Sequence, residues 1–109
     1  DVLMLVGCTA PDASVGATLA RGLVEAGLAA CVNVVPGLRS FYVWEGEIHD
    51  DPEVQLLIKT RAARYDAVEA FLKEQHPDEV PEVLAIPIER GAQNYLDWLV
   101  AHTAGGGPR

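Results

Sequence analysis

Two cysteines and three histidines are the residues of this sequence best suited to hold a soft cation or to react as nucleophiles. Cys8 ends an apolar run and directly precedes Thr9-Ala10-Pro11-Asp12, a pattern that starts helices. A thiol beside a helix N-terminus is favoured as thiolate, and a thiolate sulfur suits Cu(I), Zn or Hg. The same position also suits a small apolar filler, so both roles stay open for Cys8. Cys31 lies inside an apolar stretch and reads as core. His76 precedes Pro77 in the expected last turn of a helix, where it either caps the carbonyl ends or ligates a metal. His49 and His102 have no sequence partner at ligand spacing, and His49, Asp50, Asp51 and Glu53 read as a solvated loop rather than a hard-cation site.

Other chemistries lack their residues. A copper chaperone of small α+β type needs C-x-x-C after the first strand, and only Cys8 is there. An acylphosphatase-type enzyme needs an Arg-bearing, amide-rich anion cradle in the same loop. Here that loop has no Arg, loses an amide to Pro11 and adds the Asp12 carboxylate, which disfavours phosphate. There is no Gly-rich phosphate loop, H-E-x-x-H or nucleophile elbow. The sequence is therefore read as that of a non-enzyme.

The elements that position these residues follow from periodicity. Val2 to Cys8 is a continuous apolar run of strand length, as in a strand covered on both faces. A helix starts at Pro11-Asp12, carries Val15, Leu19 and Leu23 on one stripe, and ends at Gly27 in a left-handed cap. Leu28 to Val35 is a second strand; Pro36-Gly37 bends it before it resumes from Leu38 to Trp44. Gly46 permits a tight hairpin at Trp44-Glu45-Gly46-Glu47, and a return strand runs from Ile48 to Thr60. Thr60 is the expected N-cap of a helix carrying Tyr65, Val68, Phe71 and Leu72 and stopped by Pro77. Val83 to Ile88 is an edge or bulged strand because of Pro87, and Tyr95, Leu96, Trp98 and Leu99 form the apolar side of a last helix. The order β-α-β-β-α-β plus one helix predicts an α+β, ferredoxin-like split β-α-β sandwich.

The 109 residues, half of them hydrophobic, suit one domain over 1–103 with a flexible tail at 104–109. A net charge of -8 repels phosphate polyanions, so neither nucleic acid nor an anionic membrane is an expected partner. No run of about 18 apolar residues offers a membrane span. With two cysteines and no leader pattern at the start, the expected compartment is the cytoplasm. The aromatic-rich run Phe41-Tyr42-Val43-Trp44, on a hairpin longer than a four-stranded core requires, predicts that another copy of the chain covers it.

Several stretches, in order, carry a resemblance that spans most of the chain. They are Cys8-Thr9-Ala10-Pro11-Asp12, Leu28-Ala29-Ala30-Cys31-Val32-Asn33-Val34-Val35-Pro36-Gly37 and Tyr42-Val43-Trp44-Glu45-Gly46. Leu57-Ile58-Lys59-Thr60, His76-Pro77, Val80-Pro81-Glu82-Val83 and Asn94-Tyr95-Leu96-Asp97-Trp98-Leu99 follow. The set resembles the CutA divalent-cation-tolerance family. That resemblance implies a PII-like homotrimer with a long hairpin, and a link to copper and other divalent cations through metal binding or signalling. Its proposed metal ligands fall on Cys8 and on the pair Gln75-His76, where some members have two histidines; Gln75 is a poor copper ligand. Copper or another soft divalent metal is the implied cofactor, and Trp44, Lys59 and Glu82 match an implied inter-subunit cleft. A trimer that only anchors another protein is the alternative.

Overall fold

Alternation along the first strand decides which way the sheet faces. In β1 (Leu3–Ala10) the side chains of Val6, Cys8 and Ala10 point one way and are fully buried, while Leu5, Gly7 and Thr9 point the other way and are half-buried. The computed structural model describes residues 2–103, so the tail expected at 104–109 lies outside the described residues.

The remaining elements are α1 (Ala13–Glu25), β2 (Cys31–Trp44), β3 (Glu47–Arg61), a single 3-10 turn at Ala62–Arg64, α2 (Tyr65–Gln75), β4 (Leu84–Ile88) and α3 (Gln93–Ala101). The four strands form one antiparallel sheet in the order β2-β3-β1-β4, the expected split β-α-β arrangement. Val6, Cys8 and Ala10 meet Val54, Leu56 and Ile58 of β3, and the stripe Leu19–Leu23 of α1 and Val68–Leu72 of α2 closes over them. This is the core. On the opposite face α3 packs against β3, but Leu84 and Ile86 of β4 stay 62% and 61% exposed.

Local sequence explains the boundaries. Asp12 is the N-cap of α1, its carboxylate accepting the Val15 amide at 2.8 Å, so Pro11 stands just outside the helix rather than at its first position. At the other end Leu28 N–H donates to Leu23 O and Gly27 N–H to Val24 O, with Gly27 at φ +72, the double hydrogen bond of a Schellman cap. The strand break at Pro36-Gly37 is a register shift between Val35 and Leu38, as the sequence predicts. Glu45 and Gly46 both take positive φ, the requirement of a two-residue hairpin turn twisted to match its strands. Thr60 is not a helix cap. It lies in β3, fully buried, and its hydroxyl donates to Leu28 O at 2.6 Å; β3 continues to Arg61 and α2 begins after the 3-10 turn. A buried hydroxyl with a backbone acceptor in reach gains more there than on a solvent-facing cap.

Candidate functional site

The arm formed by residues 38–53 of β2 and β3 leaves the core. Beside it, the segment after α2 passes on its way to β4, and the two enclose a groove of about 910 Å³. Phe41, Tyr42 and Trp44 line the arm side, while Asp78, Glu79 and Glu82 line the other, with Thr9 and Glu53 also contributing. Every charged residue lining it is acidic. Tyr42 stacks on His49 with ring centroids 5.1 Å apart, and its hydroxyl donates to Asp51 at 2.5 Å. That hydrogen bond, foremost, pushes the phenol up to about 12.

Cys8 and His76 converge on a single atom, the carbonyl oxygen of Thr9. Cys8 Sγ lies 3.6 Å from it and His76 Nε2 2.7 Å. Nothing local in the sequence guaranteed that these residues would meet; the extended residue that ends α2 brings the His76 ring against β1. Their chemical states differ from those expected. Burial, and then Glu82, Asp78 and Glu53, push the Cys8 thiol up to about 12, so it is protonated at neutral pH. The helix-dipole expectation of a thiolate is thereby corrected, because α1 begins only at Ala13 while Cys8 points into the core. His76 is not in the last turn of α2 but is its extended C-cap residue, at ψ 140. Its imidazole does not cap the helix carbonyls. Nε2–H donates to Thr9 O and Nδ1 accepts the Asp78 amide at 3.0 Å, a neutral tautomer whose one lone pair is already used. Gln75 ends α2 on the exposed surface. Among the described residues no group of three or more His, Cys, Asp or Glu is placed to hold a metal ion.

The three cleft residues do not come together within one chain. Trp44, 38% exposed, and Glu82 share the acidic groove. Lys59 pairs with Cys31 at the opposite end of the strands, where its ammonium donates to Asn33 Oδ1 and lies 3.7 Å from Cys31 Sγ. β2 spans 14 residues between these rungs, roughly 40 Å at the usual strand rise. Sequence reasoning missed Asn33, which accepts from Lys59, and Tyr95, whose phenol meets Cys31. The signal for Asn33 was present, since Cys31 and Asn33 are two apart on a strand and share a face. Tyr95 lies on α3, and nothing local links it to Cys31.

Among the described residues no helix is long and apolar enough to cross a membrane. The sequence profile of the CutA1 divalent ion tolerance protein family matches residues 4–102. A divalent-cation tolerance protein CutA of Thermus thermophilus is 47% identical over 95 residues, 87% of this chain and 92% of that protein. The crystal structure of CutA1 from Oryza sativa superposes with a TM-score of 0.91 at 43% identity, covering 94% of each chain. A structure from Archaeoglobus fulgidus, described as a periplasmic divalent cation tolerance protein CutA, superposes at 0.90 with 37% identity, covering 93% of this chain and 98% of that one. From β1 to α3, this chain belongs to the CutA1 divalent ion tolerance family.

Proposed function

We propose that this protein serves divalent-cation tolerance as a cytoplasmic homotrimer, a binding and signal-coupling protein rather than an enzyme, whose ligand cleft forms between copies. One observation carries this reading. Trp44 and Glu82 sit at one end of the protomer and Lys59 at the other, so only a second copy can place that ammonium beside the tryptophan and the carboxylate. Exposed apolar surface supports the same conclusion: Phe41, Val43 and Ile48 on the arm are 64%, 72% and 81% exposed, and Leu84 and Ile86 lie bare on the sheet. Both cysteines are free thiols, which suits a reducing compartment. Native mass spectrometry of protein purified without chelator tests the assembly and its cargo together: three subunits with a retained small ligand or ion are expected. A stable monomer at micromolar concentration would overturn the reading.

A second reading, a soft-metal site at Cys8 with His76, is favoured by their convergence on Thr9 O. Copper would have to deprotonate the thiol and displace the Asp78 amide from Nδ1, so affinity should be modest. Calorimetric titration of Cu(I) into wild type, Cys8→Ser and His76→Ala decides it. Weaker binding by both variants supports the site; equal binding by all three removes it.

A further inference from the structure

Cys31 was read from sequence as core, yet it is half-buried on the sheet face opposite α1 and α2. Its Sγ lies 3.7 Å from Lys59 Nζ. The two residues are opposite rungs of β2 and β3, so a hydrogen-bonded ladder rather than a pair of loops holds sulfur against nitrogen. Asn33 Oδ1 accepts from the same ammonium, and the Tyr95 phenol, pushed up by burial and then by Cys31, lies beside the thiol. No carboxylate pairs with Lys59 among the described residues. The other cysteine offers a contrast: Cys8 is fully buried, and its sulfur meets a carbonyl, not an amine.

We propose that Cys31 is an oxidant-sensitive thiol and Lys59 its resolving amine, the pair closing to a cyclic sulfenamide when a hydroperoxide reaches it. The sulfur attacks the distal peroxide oxygen: an S–O bond forms, the O–O bond breaks, and the departing alkoxide leaves as the alcohol with the thiol proton. Sulfur is oxidised by two electrons and the peroxide is reduced by two. Lys59 nitrogen then attacks the sulfenic sulfur, forming S–N and breaking S–O. Of the two protons the ammonium loses, one leaves with the hydroxyl as water and the other passes to solvent. One peroxide is consumed and no second oxidant is needed. A sulfenamide nitrogen carries no positive charge, so the reaction removes the cation that Lys59 brings to the implied inter-subunit cleft. That consequence rests on the proposed assembly; the cross-link does not.

The test treats the full-length assembled protein with hydrogen peroxide and maps its peptides by mass spectrometry without reductant. The expected product joins the Cys31 and Lys59 peptides at their summed mass less two hydrogens, and excess thiol reverses it. Lys59→Arg, which keeps the charge and so guards against misassembly, should give no cross-link and should leave Cys31 to be trapped by a sulfenic-acid reagent. Cys31→Ser should give neither product. The proposal is overturned if Cys31 stays reduced at a peroxide dose that fully oxidises a free-thiol peptide added to the same sample, if it goes to sulfinic or sulfonic acid with Lys59 free, or if the cross-link carries an added oxygen. Unchanged trimer mass by native mass spectrometry in the same samples keeps a failure of the cross-link distinct from a failure of assembly.

Discussion

The same two strands live in two environments. At their base, Val54, Leu56 and Ile58 are at most 6% exposed beneath α1 and α2; along the arm, Phe41, Val43 and Ile48 exceed 60%. Both stretches are rich in β-branched and aromatic residues, the composition of buried strands. The base satisfies that composition within its own chain, and the arm does not. Stability of the protomer should therefore reside at the base, and association at the arm, with little overlap between them.

The largest effect expected from that division is at the base. Leu56→Ala removes a fully buried side chain from the middle of the core and should cost about 2–5 kcal/mol in chemical denaturation. If it cost no more than an exposed substitution, the base would not be the seat of stability. Next is the arm: Trp44→Ala should weaken association by about 2 kcal/mol or more while leaving the far-ultraviolet dichroism of the subunit intact. Light scattering across a dilution series checks it. A variant that stays assembled with unchanged melting would place Trp44 outside the interface.

The base also has a pH signature of its own, carried by Cys8. Cys8 is held well above its ordinary value of 9.0, so above that pH the unfolded chain loses a proton that the folded chain keeps. The stability associated with the neutral thiol is complete below pH 9 and falls as pH rises toward about 12. By pH 10.5 the loss should be on the order of 2 kcal/mol relative to Cys8→Ala, whose alkaline slope should be shallower. Parallel slopes would show that Cys8 does not carry the effect. The smallest change is expected on the arm surface. Arg39 and Asp50 form a bidentate pair at 2.8 Å with both side chains largely exposed, and Arg39 lies over the Phe41 ring. Arg39→Ala should leave subunit melting within experimental error, because water screens such pairs. A clear drop would show that a partner copy desolvates this face.

Legibility followed the range of the forces involved. The Gly27 cap, the Pro36-Gly37 bulge and the Glu45-Gly46 turn are decided by the φ/ψ limits of one or two residues and were readable directly. Thr60 was misassigned because its hydroxyl has a local use, capping, and a non-local one, the Leu28 carbonyl; only the packed sheet shows which is in reach. For His76 the cap gave way to a bridge between β1 and the Asp78 amide, partners that local periodicity does not register.

What the sequence by itself determined is the order of elements, the buried stripes, the acidic surface, the unsatisfied arm and, through its motifs, the family. Those properties are set by residue type and by spacing along the chain. The tertiary structure alone decided the protonation of Cys8, the tautomer of His76, the separation of Lys59 from Trp44 and the apposition of Cys31 with Lys59. Each of these depends on which groups distant in sequence become neighbours, because desolvation and hydrogen bonding act over a few ångströms of space and not over intervals of chain.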